Sequence, residues 1–451
     1  MESKNITRRD FLKTAGAGTI AIGAAVACGP KGAQTTGLAE ELGPEEMPLR
    51  TNPNTGDKCS LLGYGCMRWQ MTKDENGKDI IDQNSVNELV DYAYNHGVNY
   101  FDSAPVYLQG QSERATAKAL LRYPRDSYYI ATKLSNFGDT SFETGYNMYK
   151  TSLANYETDH LDYYLLHSLP DYNGFKKRFV DNGLIDFLLK EREAGRIRNL
   201  GFSFHGSKEG FDSMMATHEQ YHWDFVQIQM NYVDWHHPAG ECDAEHMYNE
   251  LTSRNIPVVI MEPLLGGQLS NVPNAIADAL KAHEPSKSIA SWAFRFVGSH
   301  PGVFVVLSGM TYMEHLQDNL SSYLHFKPLN DEEFALLDDM ASLIRNYPLV
   351  PCTGCQYCMP CPYGIDIPGI FRHYNNAINT GEIAESTEQA NYKELKKKYL
   401  TSYSKAIDTV RQADHCINCG QCMSHCPQHI RIPQQLQRID RYVDNLKQDK
   451  L

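Results

Sequence analysis

The chain has 451 residues, more than one ordinary core accommodates, so two or three folding units are expected. A hydrophobic fraction of 42% with 22% charged residues is ordinary for a soluble globular protein, and no apolar run reaches the 18 or more residues of a membrane span. The formal net charge of −13 argues against nucleic acid, whose phosphates call for clustered Lys and Arg.

Residues 1–30 read as a targeting segment rather than as part of the fold. "TRRDFLK" (7–13) carries Arg8 and Arg9, and a mild Gly- and Ala-rich apolar stretch follows it to Ala27. This resembles a twin-arginine export signal, which implies a periplasmic protein carried across already folded. Cys28 is a candidate for lipid attachment and membrane anchoring, against which Ala25 stands where a larger aliphatic residue is usual. Residues 31–51, with Gly, Glu and Pro, read as a linker.

From 52 to 346 short apolar runs alternate with amphipathic segments. The runs are "SLLGYG", "VNYFDSA", "SYYIATKL", "LDYYLLHS", "IRNLGFSF", "FVQIQMN", "IPVVIMEP" and "VFVVLSG". Between most of them lie helical patterns such as "SVNELVDYAYNHG" and "GLIDFLLKEREAGR". Eight near-continuous apolar strands separated by helices predict an α/β fold, a closed (β/α)8 TIM barrel. The length fits such a barrel, typically about 250 residues plus insertions. A doubly wound open sheet is disfavoured, because no Gly-x-Gly-x-x-Gly turn follows the first run.

Reactive groups of such barrels sit at the C-terminal strand ends. Those ends offer Asp102 and Tyr107 in "FDSAPVY", Lys133 in "IATK" and His167 in "YYLLH". Each has a plain explanation alone; the joint placement of acid, phenol, amine and imidazole is the signal. It resembles the aldo-keto reductase superfamily, whose catalytic tetrad is Asp, Tyr, Lys and His in this order. The resemblance covers nearly all of the barrel and implies hydride transfer between NADP or NAD and a small carbonyl or alcohol substrate. Tyr107 then acts as general acid toward the developing alkoxide, help worth roughly 10²–10⁴-fold. Lys133, held by Asp102, eases its proton away from a pKa near 10, and His167 orients the carbonyl oxygen.

Cofactor positions follow from the same resemblance. Ser203 and Gln227 match the residues that hold the nicotinamide carboxamide. Pro263, Leu264, Gly266 and Gly267 match the loop that wraps the pyrophosphate. Ser308, Gly309, Asp318 and Asn319 match the segment at the adenosine end. Three departures stand out: Phe204 where an amide often follows the serine, Met261 in place of a stacking aromatic, and Met310 and His315 where hydroxyl and basic groups commonly hold a 2′-phosphate. NADP over NAD is therefore not fixed. Arg68 in "GYGCMRW" is either a surface residue or a contact for an anionic substrate.

Residues 345–351, "RNYPLVP", read as a hinge into a third, small and mostly helical unit over 347–440, with a tail over 441–451. Eight of the twelve cysteines fall here, as Cys352, Cys355, Cys358 and Cys361, and as Cys416, Cys419, Cys422 and Cys426. Disulfide frameworks rarely pack thiols so tightly. Each run ends in Cys-Pro-x-x-Ile-x-Ile-Pro, and a mostly polar helical insert separates them. The runs resemble those of bacterial ferredoxins that bind two 4Fe–4S clusters, where the fourth cysteine of each run crosses to the other cluster. Cys352, Cys355, Cys358 and Cys426 are then expected to hold one cluster, and Cys416, Cys419, Cys422 and Cys361 the other. An external redox partner belongs to this reading. The rival is an iron–sulfur electron-transfer protein whose barrel serves mainly for docking. No flavin motif is present to turn a hydride into single electrons.

Overall fold

The computed structural model describes residues 47–236 and 243–451. The twin-arginine segment, Cys28, Cys242 and residues 31–46 of the linker lie outside the described residues. Among the described residues no helix is long and apolar enough to cross a membrane.

Eight parallel strands close into a barrel in chain order: β1 Leu62–Gly65, β2 Tyr100–Asp102, β3 Tyr129–Leu134, β4 Leu161–Leu169, β5 Ile197–Phe204, β6 Phe225–Gln229, β7 Val258–Met261 and β8 Val303–Ser308. Pairing of Leu62–Tyr64 with Val306–Ser308 shuts the ring. The strands read as continuous apolar runs because side chains fill the barrel inside while helices cover it outside. Tyr100, Tyr163, Leu165, Phe225, Val259 and Val305 fill the inner, N-terminal layer. Gly63 is glycine for space: a Cβ there would lie 2.5 Å from Val305 and 3.3 Å from Tyr100.

The longer outer helices are α1 Gln83–Asn95, α2 Ser112–Leu120, α3 Phe142–Asn155, α4 Leu184–Glu193, α5 Lys208–Met215, α6 Ala244–Ser253, α7 Asn274–His283, α8 Ile289–Gly298, α9 Met313–Tyr323 and α10 Asp331–Arg345. Several start where a side-chain oxygen caps free backbone N–H groups: Asp82 for α1, Ser141 for α3, Ser207 for α5 and Ser288 for α8. Asn330 and Glu333 form a full capping box on α10. A hairpin of Leu49–Thr51 with Lys58–Ser60 begins the described fold, so ordered structure starts before position 52, where the linker was expected to end.

The C-terminal unit is built on α11 Ile367–Asn379, α12 Tyr392–Ala406 and α13 Ile432–Gln448. Both α11 and α13 start at the repeated Ile-x-Ile-Pro, with proline in the first turn where no N–H is needed. The two cysteine runs thus each feed a helix, and Ile370, Phe371, Tyr399, Tyr403, Leu436 and Ile439 form their common core. The mostly polar helical insert lends Tyr392, Leu395, Tyr399 and Tyr403 to that core. The tail expected over 441–451 is mostly the end of α13, held by buried Val443 and Leu446. Its helical period of apolar residues is diluted by charges, which hides it in the sequence.

Candidate active site

The four tetrad residues meet at the C-terminal mouth of the barrel. Asp102 ends β2 and Lys133 lies in β3, one strand over. The Lys133 Nζ donates to Asp102 Oδ1 at 2.5 Å and to the Ser103 carbonyl at 2.8 Å, and both side chains are almost wholly buried. Tyr107 opens a turn in which Leu108, Gln109 and Gly110 all take positive φ, a backbone that aims the phenol back over the mouth. Lys133 Nζ lies 5.0 Å from the Tyr107 ring centroid, and the His167 ring meets Tyr107 edge-on at 5.8 Å.

Electrostatics assign each group a state. Burial, then the Asp102 carboxylate, holds the Tyr107 phenol well above its ordinary range, so it is protonated at neutral pH. Burial outweighs the easing influence expected of Lys133. Burial, then the charges of Lys133 and Arg178, pushes His167 well below its ordinary value, leaving a neutral imidazole. Its Nδ1 is engaged by Ser135 Oγ at 2.5 Å. Asp102 Oδ2 and Gln227 Oε1 are buried without a hydrogen-bond partner.

Two supporting residues were missed in the sequence. Arg178 sits in a π-helical turn, Lys176–Val180, which turns it inward. It donates to the carbonyls of His167 and Ser168 at 2.8 and 3.1 Å and to Asn136 Oδ1, and it covers Phe137 at 4.9 Å. Burial lowers it to about 10. "KKRFV" gives no hint of this, because one of three adjacent cations is buried and two are not. Ser135, two residues after Lys133, sets the His167 ring and carries no motif.

The residues expected at the cofactor are in the mouth, but most are engaged within the protein. Ser203 Oγ accepts from the Ser168 N–H at 2.8 Å, and Gln227 Nε2 donates to Met261 Sδ at 3.5 Å. Asn319 donates to Ser308 Oγ at 2.8 Å, and Asp318 accepts from Ser288 Oγ at 2.7 Å. Phe204 turns outward onto Phe211, ring centroids 5.1 Å apart. Pro263, Leu264, Gly266 and Gly267 form a loop after β7, the two glycines at φ 67° and 101°.

That loop is covered by the C-terminal unit. A Cβ on Gly266 would lie 2.2 Å from Thr353 Cα and 2.5 Å from Thr353 O. Arg68, half-buried rather than a surface residue, donates to the Thr353 carbonyl at 2.8 Å while lying along Gly309. Gln268 donates to the Cys352 carbonyl at 3.3 Å, and Gln428 donates to Gln229 Oε1 at 2.9 Å. Half-buried Tyr357 is raised by burial and by Tyr107, with Lys133 and Glu262 also in electrostatic reach. His205, after β5, is lowered to about 4 by burial and by His429 of the second run. Residues 352–357 thus cover the face of Gly266 on which a side chain would stand.

The cysteines sort into two sets across the runs. One cavity is lined by Cys352, Cys355, Cys358 and Cys426. A second is lined by Cys361, Cys416, Cys419 and Cys422, with Cys358 at its edge. The same grouping governs charge: Cys358 feels Cys352, Cys355 and Cys426, whereas Cys422 feels Cys416, Cys419 and Cys361. Among the described residues no three His, Cys, Asp or Glu groups converge closely enough for a single metal ion. Burial pushes Cys352 up to about 11 and Cys358 to about 12, so their thiolates need adjacent positive iron to form. Four thiols around each of two cavities suit clusters.

A phenol and a neutral imidazole thus lie over a buried ammonium–carboxylate pair at the mouth of a closed parallel barrel. Residues 61–342 match the family model described as the aldo/keto reductase family, so the chain belongs to that family. Residues 351–432 match a 4Fe-4S dicluster domain. Among curated relatives, L-galactose dehydrogenase of Arabidopsis thaliana is 23% identical over 318 residues, covering 66% of this chain and 95% of the relative. Methylglyoxal reductase YeaE of Escherichia coli is 26% identical over 259 residues, covering 54% and 79%. Among solved structures, the holo form of an aldo-keto reductase from Bacillus halodurans superposes with a TM-score of 0.52 at 21% identity, covering 65% of this chain and 96% of its own. One from Klebsiella pneumoniae in complex with NADPH gives 0.51 at 20%, covering 64% and 93%. These two likenesses concern the barrel fold.

Proposed function

We propose that the chain interconverts a small carbonyl compound and its alcohol at the tetrad, with Tyr107 delivering the proton to oxygen. The observation that carries this reading is the buried Lys133–Asp102 pair under a protonated Tyr107 and a neutral His167. The tautomer this reading requires has Ser135 donating to Nδ1, so that the proton on His167 Nε2 is aimed at the carbonyl oxygen. Arg178 fixes the backbone of His167, so the ring has little freedom. As charge gathers on oxygen, Tyr107 donates, and the Lys133 ammonium stabilises the phenolate left behind. Relatives named for L-galactose and methylglyoxal favour small polar substrates.

The electrons have two supported sources. NAD(P)H as hydride donor is favoured by family membership and by a relative solved with NADPH. One-electron traffic through two 4Fe–4S clusters, one in each cysteine set, is favoured by the dicluster match and the two cavities. The reading in which the barrel mainly docks an electron-transfer unit draws on the covered mouth alone and leaves the tetrad unexplained.

Tyr107→Phe tests the proposal: turnover should fall at least about a hundredfold with both clusters still loaded. Turnover near that of the parent protein sinks it. We propose in addition that Arg8 and Arg9 direct export to the periplasm, so replacing both by Lys should leave folded, cluster-loaded protein in the cytoplasm. Continued export of that variant refutes the assignment.

A further inference from the structure

The cluster unit does not hang beside the barrel; it closes the mouth. Its contacts fall at the ends of three strands: Arg68 after β1, Gln229 at the end of β6, and Gly266 and Gln268 after β7. One short segment, 352–357, runs from the loop after β7 toward the tetrad. At one end Thr353 lies main chain to main chain on Gly266, a contact no rotamer change relieves. Thr353 is almost wholly buried there. Arg68 ties it down and itself lies against Gly309, so the ends of β1, β7 and β8 are bridged. At the other end half-buried Tyr357 leads into Cys358, which lines the cavity of Cys352, Cys355 and Cys426. A dinucleotide laid on the face of Gly266 that Thr353 covers would collide with this segment.

We propose that residues 352–357 stand in for the dinucleotide, so that the docked chain takes no nicotinamide cofactor and a carbonyl substrate at the tetrad exchanges single electrons with the cluster held by Cys352, Cys355, Cys358 and Cys426. This rests on the reading of the tetrad given above. The balance closes on this chain. A carbonyl takes two electrons and two protons to become an alcohol, and the reverse reaction releases them. Two clusters, each cycling by one electron, hold the two electrons. Tyr107 gives one proton to oxygen and regains it from water; carbon takes the second proton from water. The outer cluster faces solvent, with Cys419 exposed and Ile417 60% exposed beside it. A one-electron carrier protein is the reductant that reloads it. Electrons that arrive singly require a substrate whose half-reduced form is delocalised. That selects conjugated carbonyls such as 1,2-dicarbonyls over isolated aldehydes.

The test uses the full chain with both clusters loaded under anaerobic conditions. Working nicotinamide enzymes have KM values of about 1 μM to 1 mM, so no saturable binding of NADPH or NADH is expected up to about 1 mM. Micromolar binding of either one overturns the proposal. In a second measurement, protein reduced by dithionite and freed of excess reductant is mixed with 2,3-butanedione without nucleotide. The cluster absorbance should recover, with about one acetoin formed per chain for the two electrons released. Clusters that stay reduced overturn the electron route. Recovery in Tyr107→Phe should be at least about a hundredfold slower. Equal recovery in that variant means the tetrad reading has failed, while the nucleotide titration still decides who occupies the mouth.

Discussion

Replacing Cys361 by Ala is expected to damage the cluster of the other cysteine run. Cys361 lies in the first run by sequence, yet it lines the cavity of Cys416, Cys419 and Cys422, and its charge acts on Cys422. Cys426 does the reverse, acting on Cys352 and Cys358. The long insert between the runs is no obstacle, because closing a loop costs only about 0.6 kcal/mol more for each doubling of its length. Two cubane clusters hold about eight irons per chain. Removing one thiolate ligand should leave the inner cluster whole and cost the outer one between about one and four irons. The assay is anaerobic reconstitution with iron and sulfide counts, followed by EPR of the reduced protein. Spectra should pair across the runs: Cys361→Ala should leave the same residual signal as Cys416→Ala, and Cys426→Ala the same as Cys352→Ala. If Cys361→Ala instead matches Cys352→Ala, each run is self-contained and the crossing read from the cavities is wrong.

Two further outcomes concern stability. Asp102→Asn strands a buried ammonium at Lys133, which should cost about 3–5 kcal/mol in denaturant unfolding. Asp102→Leu combined with Lys133→Met should recover most of it, and an additive loss in the double variant refutes the buried-pair argument. His205 is lowered to about 4 when folded, against about 6.5 unfolded, so the unfolded chain binds more protons between those values and stability falls as pH drops. At about 1.4 kcal/mol per unit, the loss between pH 6.5 and 5 is at most about 2 kcal/mol, less for its partial exposure. His205→Asn should flatten the slope in that window, and an unchanged slope assigns the acid loss elsewhere.

Much of this was legible because the physics concerned is local. Strands buried on both faces leave unbroken apolar runs, and a strand end fixes where the next side chain points. The order Asp102, Tyr107, Lys133, His167 therefore placed four reactive groups at one end of the barrel, and the spacing of eight cysteines placed them in two tight runs. What escaped is long-range and polar. Ser135 on His167, Arg178 beneath it and Gln428 against Gln229 are ordinary residues until the fold brings them together. The end of α13 escaped for another reason: Asp444, Asn445 and Lys447 break the apolar pattern that Val443 and Leu446 continue.

Gly266 shows why a motif alone misleads at the mouth. Its missing Cβ permits a close approach, and its φ of 67° suits glycine. A phosphate needs both features, but so does the main chain of Thr353. The glycine is therefore required under either occupant and says nothing about which is present. The neighbouring positions do discriminate. Met261 offers no aromatic face to a nicotinamide, Met310 and His315 offer no permanent cation to a 2′-phosphate, and Arg68 spends its guanidinium on a protein carbonyl. Each is a cost to a dinucleotide site and none is a cost to a docked peptide segment. The tetrad shows no such erosion, with Lys133 paired, Tyr107 protonated and His167 neutral. A barrel that kept its proton chemistry while its cofactor groove filled with protein needs another electron source within reach, and the segment that fills the groove carries the ligands of one.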